Sequence, residues 1–217
     1  MLISRQYTEE HDQRVVFLLD TGYRVAGGEQ EELSHFDHML NALLLVSYIA
    51  LQQGDKVGLF TFGADQRRLP PSKGGGMINL LMNTVFDLQA QGIPTDPGSA
   101  LEQAAGEATR RTLFVVLTKL QEEDGERLCE AANAIGSRHM VLLASIEEQA
   151  IGKLLTPLPS QFDQAVVHAA AVRYLRRRRQ TIERLRRQGL HVFEAPPKQL
   201  PAALSEQYRY IKRAGLL

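Results

Sequence analysis

Val15-Val16-Phe17-Leu18-Leu19, running into Asp20-Thr21-Gly22, sets the fold. An unbroken apolar run rich in β-formers and closed by a turn signal reads as a strand buried on both faces, the kind found in parallel sheets. Residues 56–62 (KVGLFTF), 112–117 (TLFVVL) and 140–145 (MVLLAS) share that character, and 190–194 (LHVFE) makes a last strand. Helical periodicity fills the intervals: 36–53, 77–88, 98–108, 125–135, a long helix over 162–188, and a closing helix over 200–212. In the long helix, Phe162, Val166, Ala169, Val172, Leu175, Ile182 and Leu185 form the expected buried stripe. Strands alternating with helices of this length need crossover connections. The predicted fold is therefore a three-layer α/β domain with a mainly parallel central sheet of five or six strands and helices on both faces.

The 217 residues suit a single domain over 1–217, with 1–13 as an N-terminal extension and 161–217 holding the long Arg-rich helix, last strand and closing helix. One cysteine rules out a disulfide scaffold and a four-cysteine zinc site, and fits a reducing compartment. No secretory signal precedes the first strand, and the longest apolar stretch, 42–51, is far shorter than the ~20 residues of a membrane helix. The 25 basic and 25 acidic side chains cancel, but unevenly. Residues 1–108 hold 7 basic and 14 acidic residues, and 109–217 hold 18 and 11. The chain is dipolar, which predicts an oriented, salt-sensitive contact with a partner.

Ligands of open α/β sheets bind beyond the strands' C-terminal ends, where strand order reverses. That edge carries Asp20, Gly22, Arg24, Thr118 and Lys119. The segments HDQRVVFLLDTGYR (11–24), LSHFDHMLNALLLVSYIALQQGDKVGLFTFG (33–63), TLFVVLTKLQEED (112–124) and RHMVLLASIEE (138–148) together resemble a bacterial domain-of-unknown-function family, number fifty-eight, of the von Willebrand factor A-like superfamily. The resemblance covers roughly residues 5–150 well, and 33–63 most specifically.

It implies a von Willebrand factor A-like fold and a non-enzymatic protein–protein interaction domain. The implied role is an adaptor, with a MoxR-type AAA+ ATPase as a protein partner. The expected location is the cytoplasm, including as the cytoplasmic domain of an inner-membrane protein tethered by two upstream helices that lie outside these residues.

The superfamily's adhesion site holds a divalent metal through an Asp-x-Ser-x-Ser turn, a middle-loop Thr and a late Asp. Here Asp20 is kept, Gly22 and Arg24 replace the serines, and Lys119 replaces the late Asp. Thr95 or Ser99 stands for the middle-loop hydroxyl. The expectation is a degenerate site with no metal and no cofactor, in which Lys119 pairs with Asp20. The partner-binding edge would comprise Asp20, Thr21, Gly22, Arg24, Thr95, Ser99 and Lys119, with Arg24 or Lys119 pairing a partner carboxylate directly.

Residues 173–187 contain eight arginines. Arg173, Arg176, Arg177, Arg178, Arg184 and Arg187 read as a basic helix surface for an acidic protein or anionic membrane, with Arg179 nearer the apolar stripe. Without interleaved aromatics, nucleic acid is disfavoured. His35 and His38 lack a third zinc ligand at useful spacing. Cys129 reads as a core thiol. The glycine-rich 73–77 (KGGGM) has its lysine before the glycines, opposite to a phosphate loop, and reads as a turn. Two alternatives remain open: a nucleotide- or phosphate-binding α/β enzyme using the same edge, and metal-dependent ligand binding with relaxed ligands. DTGYR lacks the glycine spacing that the first would need.

Overall fold

In a computed structural model, residues 13–27, 33–156 and 159–216 are described. The N-terminal extension expected over 1–13 falls almost wholly outside them. The strands are β1 (Arg14–Asp20), β2 (Lys56–Phe62), β3 (Arg68–Ser72), β4 (Leu113–Thr118), β5 (Met140–Ile146) and β6 (His191–Ala195). The helices are α1 (Tyr23–Ala26), α2 (His35–Gln52), α3 (Met77–Val85), α4 (Pro97–Glu107), α5 (Asp124–Ile135), α6 (Gln149–Lys153), α7 (Phe162–Arg187) and α8 (Leu200–Arg213).

One six-stranded sheet runs in the order β3-β2-β1-β4-β5-β6, parallel except for β3. Strand alternation divides the core. Val15, Phe17 and Leu19 pack on the side of α2, α3 and α8, with Met39, Leu43, Leu81 and Tyr208. Val16 and Leu18 pack on the side of α4, α5 and α7, with Leu101, Leu128, Ile182 and Leu185. The chain turns from one direction to the other between β1 and β4, so the ends of these two strands form the switch point of the sheet.

β3 was not expected, because Pro70 and Pro71 argue against a strand. They are tolerated since β3 is an edge strand, pairing among the described residues with β2 alone. At the opposite edge one carbonyl is taken up: Arg186 donates from Nε and Nη2 to the Val192 carbonyl of β6 at 3.1 and 2.8 Å.

α7 corrects the sequence reading twice. Its buried residues are Ala171, Arg178, Ile182 and Leu185. Phe162, Val166 and Val172 are exposed (82, 53 and 45%), because among the described residues no layer packs over that face of α7. Arg178, expected on the basic surface, is buried, whereas Arg179, expected near the stripe, is exposed.

Arg178 sits one and two turns before Ile182 and Leu185, on their face. It donates to Ser145 Oγ (3.0 Å), to the carbonyls of Leu120 and Ile146, and to Glu194 (2.6 Å). One side chain thus ties α7 to the ends of β4, β5 and β6. Arg173, Arg176, Arg177, Arg184 and Arg187 do lie exposed.

Candidate functional site

β1 ends by delivering Asp20 into the interior at the switch point, fully buried. A carboxylate removed from water needs donors, and the neighbouring loops supply them. Asp20 Oδ1 accepts from the Gly22 N–H (2.8 Å) and Thr95 Oγ1 (2.9 Å). Oδ2 accepts from Thr118 Oγ1 (2.5 Å) at the end of β4. Arg24 Nε lies 3.8 Å from Oδ2. The guanidinium also donates to Asp124 Oδ2 (2.5 Å) at the start of α5 and to the Thr95 carbonyl (2.8 Å). Asp124 Oδ2 further accepts from the Gln121 N–H at 2.7 Å. The result is a buried carboxylate–guanidinium–carboxylate chain joining β1, α1 and α5.

Burial pushes both carboxyls above the ordinary range. For Asp20 the bonds from Thr118, Gly22 and Thr95 and the charge of Arg24 pull the other way; for Asp124 the Gln121 N–H and Arg24 do so.

Gly22 has a packing reason. A Cβ there would stand 2.5 Å from Thr95 Cγ2 and 2.8 Å from the Ile93 carbonyl oxygen, so the loop holding Thr95 occupies the space a serine would need. Thr21 is fully buried, and its hydroxyl donates to the Phe62 carbonyl at 3.1 Å.

The expected Lys119–Asp20 pair is not formed. In an extended strand, successive side chains point to opposite faces; Thr118 faces Asp20, and Lys119 turns away to Glu148 Oε1 at 3.0 Å. Tyr174 of α7 reaches the other oxygen of Glu148 at 3.3 Å. Thr95, not Ser99, is the middle-loop hydroxyl at Asp20. Ser99 donates instead to Asp96 Oδ2 (2.6 Å) at the N-cap of α4. Arg24, expected to meet a partner, has a side chain only 4% exposed and is committed to the two aspartates.

Of the expected edge residues, Asp20, Thr21, Gly22 and Arg24 are therefore interior, Thr95 and Lys119 are half-buried, and Ser99 is exposed. The sequence reading missed Tyr23, which stands exposed (45%) above the site with its hydroxyl 3.3 Å from Gln121. It also missed Asp124, whose signal was its place at the start of a helix just beyond β4.

The oxygens able to face a metal here are the Asp20 and Asp124 carboxylates and the Thr95 and Thr118 hydroxyls. Among the described residues, no group of three or more His, Cys, Asp or Glu side chains is placed to hold a metal ion. His35 and His38 are buried at the start of α2, which Ser34 and Asp37 cap reciprocally. The buried Cys129 thiol is pushed up by desolvation, with nearby Arg184 opposing, and is poorly suited to act as a nucleophile. Gly74, Gly75 and Gly76 form an exposed turn before α3. No helix among the described residues is long and apolar enough to cross a membrane.

A family model described as "Protein of unknown function DUF58" matches residues 2–187. The chain belongs to this family. No curated protein sequence matches it.

Among solved structures, it is similar to a D319A mutant of the PilB minor pilin from Streptococcus sanguinis at 11% identity and a TM-score of 0.61, covering 97% of this chain and 63% of that one. An aerotolerance-related membrane protein from Bacteroides fragilis aligns at 15% identity and a TM-score of 0.56, covering 93% and 99%. A von Willebrand factor type A protein from Catenulispora acidiphila aligns at 14% and 0.53, covering 90% and 42%. The chain thus spans under two thirds of the pilin and under half of the Catenulispora protein. At these identities the likeness is one of fold: this member of the family is a von Willebrand factor A-like α/β domain.

Proposed function

We propose that this chain is a non-enzymatic protein-interaction domain in which Arg24 stands where the superfamily's metal would. The observation that carries the reading is the guanidinium held between Asp20 and Asp124. A divalent ion needs several open oxygen positions at about 2.0–2.1 Å for magnesium. Both Asp20 oxygens already accept protein hydrogen bonds, Gly22 offers no oxygen, and a fixed cation lies against the carboxylate. This donor set does not fit a metal and fits an internal ion pair.

The partner would dock on what the edge leaves outward, namely Tyr23, the loop around Thr95, Lys119 and Gln121. It would meet a surface already neutralised from within, so recognition would rest on shape and hydrogen bonding, with Lys119 exchanging Glu148 for a partner group. A MoxR-type AAA+ ATPase is the partner this family membership suggests, with the domain acting as a cytoplasmic adaptor.

The test is binding of a purified MoxR-type ATPase from the same organism to wild type and to Tyr23→Arg and Lys119→Glu variants. Loss of binding with an unchanged melting temperature supports the edge; undiminished binding refutes it. A thermal-shift series with nucleotides, with and without Mg²⁺, checks the enzyme alternative. No shift is expected, and a nucleotide-dependent rise in Tm would favour that alternative.

A further inference from the structure

We propose that a cavity at the outer edge of β6 binds a small organic carboxylate with an apolar body. The inference goes beyond the interaction-domain reading and does not rest on it. β4 and β5 separate this edge from Asp20 at the end of β1.

The cavity arises where α7 stops. Gly189, at φ 87°, turns the chain out of α7 and directly toward β6, in a conformation that favours glycine. Val192 then faces the side of α4, α5 and α7, and Phe193 the side of α2, α3 and α8, as strand alternation requires. β6 is the last strand of the sheet, so among the described residues no strand lies beyond it. The Ala195 carbonyl accepts from the Glu147 N–H on the β5 side. Backbone groups along a strand alternate in direction, so Val192, three places earlier, turns its N–H and carbonyl outward. A cavity of about 320 Å³ opens along this edge, with Leu142, Val192 and Phe193 in its wall beside the polar side chains of Arg186, His191 and Gln207.

Arg186 selects the ligand. Its Nε and Nη2 both donate to the Val192 carbonyl, at 3.1 and 2.8 Å. That carbonyl sits in the side-on bite of the guanidinium and fixes the plane of the group. A guanidinium carries five N–H donors, so those of Nη1 and the second of Nη2 remain. They form the end-on fork, two parallel donors whose spacing matches the two oxygens of a carboxylate. No Asp or Glu side chain stands in the cavity wall to occupy that fork.

The rest of the wall narrows the class. His191 and Gln207 offer further hydrogen bonds, and Leu142 and Phe193 offer apolar surface. One carboxylate for one guanidinium, carried on a hydrocarbon body, satisfies all of these. Inorganic phosphate has more charge to neutralise and nothing to lay against the apolar wall. The volume lies at the small end of ligand pockets, about 300–1,000 Å³, and suits a body of one ring. Two sources supply this chemistry: a free aryl- or alkyl-carboxylic acid, and the carboxy-terminal residue of a peptide.

The test is a titration of the isotope-labelled full chain followed by amide NMR. Hydrocinnamate is the probe, and its neutral amide, acetate and inorganic phosphate are the controls. Hydrocinnamate is expected to shift the backbone amides of Gly189, Val192 and Phe193 and the side-chain amide of Gln207. Saturation should give a Kd on the order of 1 mM, as suits a ligand of that size. Each control should bind roughly tenfold more weakly, since it lacks either the bidentate carboxylate or the apolar body. Arg186→Gln should weaken hydrocinnamate by a similar factor. Gln207→Glu adds a carboxylate to the wall and leaves Arg186 on its carbonyl; it should weaken binding as much with an unchanged melting temperature. Acetyl-glycyl-phenylalanine, set against its own amide, reads the source. Tighter binding than hydrocinnamate points to a peptide end, and weaker binding to a free acid. The proposal is overturned by an absence of shifts at these amides, by any control binding as tightly as hydrocinnamate, or by an affinity that survives both substitutions. None of these readouts involves Tyr23 or Lys119, so failure here is distinguishable from failure of the strand-end edge.

Discussion

Replacing Arg24 by methionine would leave Asp20 and Asp124 buried without their shared cation. Breaking a buried pair from one side costs about 3–5 kcal/mol, and urea denaturation should register a loss of that size. Adding Asp124→Asn should recover part of it, because one uncompensated charge goes too. The pH dependence has a definite sign. Burial raises both carboxyls above their unfolded values. The native chain therefore holds more protons than the unfolded chain from about pH 4 up to those raised values, and the stability these groups contribute falls as pH rises through that window. Without the guanidinium the window extends upward. The deficit of Arg24→Met should grow as pH rises above the ordinary carboxyl range, about pH 4; a deficit constant with pH would mean the carboxyls do not feel Arg24.

Gly22→Ser tests the other half of the site. The added atoms meet Thr95 and the Ile93 carbonyl, so a loss of about 1–3 kcal/mol is expected from overpacking. Calorimetry with Mg²⁺ should show no gain of binding while Arg24 remains. Both substitutions at the metal position were legible in the sequence as departures from a pattern. Which cation would turn inward was not. Arg24 and Lys119 have the same charge and lie on the same edge, and only the alternation of β4 sends Lys119 to Glu148.

At the scale of the element, α7 separates periodicity from burial. Phe162, Val166 and Val172 recur at helical spacing, and that spacing fixes which face is apolar without fixing whether anything packs there. The reverse error concerns Arg178. Its i, i+4, i+7 relation to Ile182 and Leu185 was available in the sequence, but seven neighbouring arginines made it look like one of a solvated set. Arg178→Ala should cost about 3 kcal/mol, since Glu194 and two carbonyls lose their donor in a low-dielectric place, whereas Arg179→Ala should stay within about 0.5 kcal/mol. Hydrogen exchange should quicken in α7 in the first variant only.

α8 is anchored differently. Tyr208 donates to the buried Asp55 carboxylate, which also accepts from Lys212 at 2.6 Å. Burial first, then Asp55, raises the phenol, so it stays protonated as the donor. Tyr208→Phe should cost about 1–3 kcal/mol by leaving part of Asp55 unpaired. The short helices α1 and α6 were not anticipated, whereas the remaining strands and the helices α2, α3, α4, α5 and α8 read correctly from the sequence because their apolar patterns do meet a partner layer. β3 did not, because two prolines outweigh a strand signal except at an edge.

For the whole molecule, the two unevenly charged halves of the sequence can be followed through the sheet. The strands of the acidic half, β3, β2 and β1, occupy one side of the sheet, and those of the basic half, β4, β5 and β6, the other. Among the described residues the strands of the two halves divide at the switch point, while the helices interleave, α8 of the basic half packing against α2 of the acidic half. Arg24 with Asp124 and Asp55 with Lys212 stitch across it. A chain with zero formal charge at pH 7 should still be retained on a sulfonate resin at low salt, through the α7 arginines. Arg173→Glu/Arg176→Glu/Arg179→Glu should abolish that retention. The β3 edge, with its two prolines, does not invite a further strand, and at the β6 edge Arg186 takes up the Val192 carbonyl. A partner of the kind proposed would then have to be met by loops and side chains rather than by a free strand edge.

The chain around Asp20 also sets an order of events during synthesis. Its partners Thr95 and Thr118 lie 75 and 98 residues further on, and Arg24 reaches Asp124 across 100 residues. At about 10 residues per second, a ribosome takes roughly 10 s to make that interval. Throughout it, Asp20 stays hydrated and β1 lacks β4. The ion-paired centre then cannot close until Asp124 has been made, still ahead of the Asp55 contacts with Tyr208 and Lys212, which span 153 and 157 residues, and a nascent chain stalled before Leu113 would hold strands on only one side of the switch point.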